Sequence, residues 1–103
     1  MAIVHVSITP IGTGSTSISP YVAACHTVLR AKPNLKWQLT PMGTIIEGEL
    51  SDILSVIQEM HEVPFAKGAL RVSTQIKIDD RRDTPASMAA KVASVEEKLI
   101  FVL

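Results

Sequence analysis

The segment Thr40-Pro-Met-Gly-Thr-Ile-Ile-Glu-Gly-Glu49 carries the most distinctive chemistry of the chain. A Pro/Gly corner separates two runs of β-type composition, and a single carboxylate, Glu47, then stands among apolar neighbours. A carboxylate that is fully buried and unpaired costs several kcal/mol. Glu47 must therefore face water, meet a basic group, or await a ligand that neutralises it. One reading pairs it with Lys36 or Lys77. The other makes it a ligand carboxylate, flanked by hydroxyl and amide groups from Thr44, Gln38, Ser7 and Ser73. Such a pocket suits a small, flat, cationic heterocycle, because the carboxylate accepts from a ring amine while hydroxyls and amides meet ring nitrogens. Trp37 could stack on that ring, although its alternation with Leu35 and Leu39 places it with the core.

Other residue clusters offer weaker chemistry. Gly12-Thr-Gly-Ser-Thr-Ser17 places glycines and hydroxyls ahead of a helix, which suits either a turn with capping hydroxyls or an anion-contacting wall. It lacks the Lys-Ser/Thr ending of a P-loop and the third glycine of a dinucleotide fingerprint. His26 and His61 fall near the apolar stripes of different helices with no second ligand at metal spacing, so no metal site is expected. Cys25 reads as a small core residue. In Asp79-Asp-Arg-Arg-Asp83 the interleaved arginines answer the aspartates, giving a solvated loop or a salt-bridge region between subunits, or else Arg81 and Arg82 reach an anionic group or a site shared with a neighbouring subunit.

The bulk properties limit what these residues can serve. A chain of 103 residues forms one domain with a single modest core. It is 47% hydrophobic but has only one Trp, one Tyr and two Phe, so aliphatic side chains must fill the interior. Ten basic and ten acidic residues cancel, leaving no cationic footprint for nucleic acid. The single cysteine excludes an internal disulfide and fits a reducing, cytoplasmic compartment. No apolar run approaches the roughly 20 residues needed to cross a bilayer, so no membrane partner is expected. A small, neutral, aliphatic domain that cannot cover its apolar surface favours oligomers.

The elements that must position these groups follow from periodicity. Val4, Val6 and Ile8 alternate with His5, Ser7 and Thr9 in a half-buried first strand. Ser19 as N-cap and Pro20 at the first helical position open a helix to about Ala31, with Val22, Cys25, His26 and Leu29 on one face. Leu35 to Thr40 and residues 44–49 form two strands around the Pro41-Met42-Gly43 corner. A second helix opens at Leu50 or Ser51, carries Ile53, Leu54, Ile57, Met60 and His61 as its stripe, frays near Pro64 and closes at Gly68. Leu70 to Asp79 form the longest strand, and Thr84-Pro85 start a last helix bearing Met88, Val92, Val95 and Leu99. The order β-α-β-β-α-β plus a C-terminal helix is the α+β, ferredoxin-like sandwich over residues 1–103. Right-handed crossovers put both main helices on one face. The other face then shows Ser7, Thr9, Gln38, Thr40, Ile45, Glu47, Ser73, Gln75 and Lys77.

Four stretches, in order, resemble a known family. They are Ile8-Thr-Pro-Ile-Gly-Thr-Gly-Ser-Thr-Ser-Ile-Ser-Pro-Tyr-Val22, Leu39-Thr-Pro-Met-Gly-Thr-Ile-Ile-Glu-Gly48, Glu59-Met-His-Glu62 and Arg71-Val…Ile76-Lys-Ile-Asp-Asp-Arg-Arg-Asp83. Together they are similar to the small thiamine-binding proteins, formerly a domain of unknown function. The resemblance implies a ferredoxin-like fold, homodimers pairing into homotetramers through their sheets, and non-catalytic binding of thiamine or its hydroxymethylpyrimidine moiety, with no cofactor. The parts carried over are the Thr44–Glu47 segment and the end of the first strand, including Gly14, Ser15 and Thr16. In this reading Glu47 accepts from the 4-amino group or a protonated ring nitrogen, Thr44 and Ser7 add hydrogen bonds, and Met42 and Trp37 give apolar contact. A structural or regulatory homo-oligomer that has lost its ligand is the alternative.

Overall fold

Alternation along the first strand sets the layering. The structure, a computed structural model, describes residues 1–85 and 87–102. Strand β1 spans Ala2–Ile11, and its Ala2, Val4 and Val6 are buried under the helices. Helix α1 is Ser19–Arg30, strands β2 and β3 are Lys36–Thr40 and Gly43–Gly48, helix α2 is Leu50–Ala66, strand β4 is Arg71–Asp79, and helix α3 is Met88–Val102. The sheet order is β2-β3-β1-β4 and every ladder is antiparallel. This is the expected α+β ferredoxin-like arrangement.

The register pairs Val4 with Ile46 and Ile78, and Ile46 in turn with Trp37. One sheet face therefore presents Val4, Ile46, Trp37 and Ile78 to the helices. The other presents Lys36, Glu47, Ile3 and Asp79 in one cross-strand row, with Gln38, Ile45, His5 and Lys77 in the next. Helix α2 lies directly on the sheet and α1 packs against α2. The core they enclose is aliphatic: Leu29, Ile46, Ile53, Val56 and Met60 are among its fully covered side chains.

Helix boundaries depart from expectation where the backbone finds other partners. The cap of α1 is Ile18, whose carbonyl accepts from the Tyr21 and Val22 amides, so Ser19 already lies inside the helix and offers no side-chain cap. The stripe of α2 is Ile53, Val56, Ile57, Met60 and Pro64, and Leu54 turns outward. Helix α2 also does not fray at Pro64 but runs on to Ala66, closing where Gly68, at φ +99°, lets its amide reach the Phe65 carbonyl and the Ala69 amide the Pro64 carbonyl. Helix α3 begins at Met88 rather than near Thr84, because the Ser87 hydroxyl accepts from the Ala90 amide and supplies the cap. Its first turns are tied to β4 by an ion pair between Lys91 and Asp79, and Val92, Val95 and Leu99 remain exposed. The radius of gyration, 15.5 Å, exceeds the roughly 13 Å of a compact chain this long. Among the described residues, α3 has only sparse contact with the other elements, and no helix is long and apolar enough to cross a membrane.

Pro64 survives inside a helix for a specific reason. Proline has no amide hydrogen, so the Met60 carbonyl one turn earlier loses its helical partner in a buried position. The Cys25 thiol of α1 donates to that carbonyl at 3.4 Å. The cysteine thus satisfies an acceptor that the proline orphans, and it joins the two helices at their contact. Burial pushes the Cys25 thiol pKa up, which keeps it protonated and able to donate. The expected outcome is coupling: Cys25→Ala costs more stability in the wild type than in a Pro64→Ala background, where the introduced alanine supplies its own amide to the Met60 carbonyl. A double-mutant cycle by urea denaturation should return about 0.5–1.5 kcal/mol of interaction. Strict additivity would show that the thiol contact carries no energy.

Candidate functional site

Small residues on one side of α1 leave a gap. Ser19, Ala23 and Thr27 recur every fourth residue, so they form one row along the helix. They face the edge of the sheet where β2 and β3 turn, and none is long enough to fill the space beneath. A cavity of about 660 Å³ results, within the range of small-molecule pockets. Trp37, Leu39, Met42 and Thr44 of the β2–β3 hairpin form its floor and mouth, and His26 and Arg30 continue its wall along α1.

The hairpin is held open in a defined shape. The Thr40 hydroxyl donates to the Gly43 carbonyl at 2.8 Å and accepts from the Gly43 and Met42 amides at 3.1 and 3.3 Å, so one side chain closes the turn. A Cβ at Gly43 would sit 2.5 Å from His5 Nε2 and 2.8 Å from the Val6 carbonyl oxygen. Only glycine lets β3 start this close to β1. Met42 is left 81% exposed at the tip, beside the cavity mouth.

Inside the cavity the polar centre is a pair. His26 Nε2 and Thr44 Oγ1 lie 2.8 Å apart, and the two residues are only 8% and 5% exposed. Trp37 meets His26 edge-on, ring centroids 4.9 Å apart and planes at 76°. Burial lowers the His26 pKa, so the imidazole is neutral at pH 7 and bonds to the hydroxyl in whichever tautomer suits. The Thr44 hydroxyl can both donate and accept, and one bond to His26 does not exhaust it. The arrangement offers a flat polar ligand a donor and acceptor against apolar and aromatic walls.

The structure separates residues that sequence reasoning groups together. Thr44, Trp37, Met42 and Ser7 line the cavity, although Ser7 alternates toward the other face of β1. Glu47 and Gln38 belong to the opposite face of the sheet and do not line it. Thr44 and Glu47, three residues apart along β3, project to opposite faces of the sheet, and only Thr44 lines this cavity. Glu47 is nonetheless 5% exposed, and Lys36 stands directly across the ladder from it. Among the described residues, no ion pair joins Glu47 to Lys36 or Lys77. Gly14, Ser15 and Thr16 lie in the loop before α1, where Gly12 and Gly14 have φ of +77° and +79°. Its hydroxyls bond locally, Thr13 Oγ1 donating to the Ser15 carbonyl and Ser15 Oγ accepting from the Ser17 amide. Ser15 lines a second, shallow cavity with Tyr21 and Lys67; Gly14 and Thr16 line neither. In the acidic loop Arg81 pairs with Asp83 and Arg82 with Asp80, which holds both carboxyls below their usual range. Sequence reasoning misses His26 and Arg30 as cavity residues. The one available signal is the i, i+4 spacing that puts Val22 and His26, and then Arg30, on one side of α1.

The lowered pKa of His26 fixes a pH dependence. Below the ordinary histidine value of 6.5 the unfolded chain takes up a proton there that the folded protein resists. The unfolded state then binds more protons, so stability falls as pH drops below 6.5 and levels off beneath the lowered folded value. Chemical denaturation from about pH 7.5 to about pH 5 should show this loss in the wild type and a shallower one in His26→Gln. Parallel curves would show that His26 is not the group responsible.

Comparison with known proteins agrees with the fold. A family model described as "Thiamine-binding protein" matches residues 4–96. The YqgV protein of Bacillus subtilis is 52% identical over 102 residues, covering 96% of this chain and 98% of its own length. A Staphylococcus xylosus relative is 49% identical over 102 residues, covering 96% and 95%. The crystal structure of a hypothetical protein from Methanocaldococcus jannaschii superposes with a TM-score of 0.83 at 33% identity, covering 93% of this chain and 96% of that one. The chain belongs to the thiamine-binding protein family.

Proposed function

We propose that this protein is a cytoplasmic, non-catalytic binder of thiamine or its hydroxymethylpyrimidine moiety, and that the ligand's pyrimidine enters the cavity between α1 and the β2–β3 hairpin. The observation that carries the reading is the buried His26–Thr44 pair set beside Trp37, Leu39 and Met42 in the pocket. An aminopyrimidine presents an amine donor beside ring-nitrogen acceptors. A hydroxyl hydrogen-bonded to a neutral imidazole can answer both. Trp37 and Met42 supply apolar contact, as the sequence suggests, and Met42 can fold over the mouth from its exposed position. Family membership supports the ligand class.

The open sheet face supports a second part of the reading, assembly into homodimers that pair into tetramers. That face mixes Lys36, Glu47, Lys77 and Asp79 in adjacent rows, a pattern able to pair with its own copy. The exposed apolar stripe of α3 adds surface that a lone chain leaves wet.

Titration with hydroxymethylpyrimidine and with thiamine, read by calorimetry and by Trp37 fluorescence, tests the site. Thr44→Val should weaken binding by roughly 1–3 kcal/mol, the cost of leaving a buried polar group unanswered, while Thr44→Ser, which keeps the hydroxyl, restores most of it. Loss of affinity in Glu47→Gln with none in Thr44→Val would move the site to the open face and overturn the cavity assignment.

A further inference from the structure

The cavity has a direction and a charge. Its α1 wall runs from Ser19 to Arg30, about 16 Å at the helical rise. The His26–Thr44 pair lies between those ends, so a single pyrimidine ring docked there leaves space toward Arg30. Among the described residues that line the cavity, Arg30 alone carries a permanent charge, and no Asp or Glu is among them. The guanidinium is also uncommitted: among the described residues it enters no ion pair, whereas nearby Lys32 is held by Glu59 at 3.1 Å. A cationic ring in this cavity would find no counter-charge and one like charge. An anionic group attached to a neutral ring would find a fork of guanidinium donors at the Arg30 end of the wall.

We propose that the Arg30 end of the cavity is an anion subsite, so that the favoured occupant is a flat, neutral heteroaromatic ring bearing a phosphate ester. The inference rests on the cavity reading given above and deepens it by naming the chemical class of ligand. Two other roles for the same charge are set against it. Arg30 lies in the last turn of α1, where a cation also offsets the helix dipole. The loop before α1 and Lys67 flank a separate shallow cavity, lined also by Ser17 and Tyr21, which offers an alternative place for a phosphate.

Calorimetric titration of the full chain with hydroxymethylpyrimidine and with its phosphate ester, in phosphate-free buffer, separates these roles. The expected result is that the ester binds about tenfold more tightly or better, as one charge-assisted contact supplies. In Arg30→Gln the ratio of the two affinities should collapse toward one, and raising the salt concentration should erode the wild-type ratio. In Lys67→Gln the ratio should stay at its wild-type value. A ratio near one in the wild type, or a ratio that survives Arg30→Gln, overturns the proposal while leaving the pyrimidine site standing. A ratio lost in Lys67→Gln instead assigns the anion to the loop before α1 and also overturns it. Failure of both compounds to bind removes the pyrimidine reading and the anion subsite together.

Discussion

The cavity exists because two packing demands on α1 are met at different places. Toward α2 the helix offers Cys25 and Leu29, and the fit is tight enough to bury both completely or nearly so. Toward the edge of the sheet it offers Ser19, Ala23 and Thr27, which are too short to reach β2. The His26–Thr44 hydrogen bond spans the gap and links the helix to β3, so the walls are joined without being collapsed. Breaking that bond would remove both the polar centre of the site and the strut that sets its width.

The same economy appears at the contact between the helices. Pro64 would ordinarily end α2 or leave a buried carbonyl without a partner, and Cys25 removes the penalty from the neighbouring helix. Cys25 and His26 are adjacent in sequence and point to different tasks. One fixes α1 onto α2, and the other reaches across the cavity to the hairpin. The position of the site is therefore coupled to the core through two consecutive residues, so small movements of α1 on α2 change the distance between His26 and Thr44.

Much of the fold is legible in the chain. Alternation of Val4, Val6 and Ile8, the Pro41-Met42-Gly43 corner and the helical stripes are sufficient for the element order, the sheet faces and the two helices on one side. The site is legible only in part. Thr44, Trp37 and Met42 stand out in the sequence, but residue chemistry joins them to Glu47, although the spacing of Thr44 and Glu47 along β3 already implies opposite faces. A local property, an isolated carboxylate among apolar residues, there outweighs a geometric one. The spacing puts His26 and Arg30 on one side of α1, but their place at the cavity is hidden for a different reason. Their meeting with the hairpin depends on how far α1 stands off β2, and that distance comes from tertiary packing of small residues. No periodicity in a single segment encodes it.

Amide and indole chemical-shift mapping with hydroxymethylpyrimidine tests the central claim most directly, because it reports on both faces of the sheet at once. The account predicts that the largest shifts fall on the Trp37 indole, on His26 and Thr27 of α1, and on Met42 to Thr44 of the hairpin. Shifts concentrated on His5, Lys36, Glu47 and Lys77, with the α1 amides undisturbed, would contradict it.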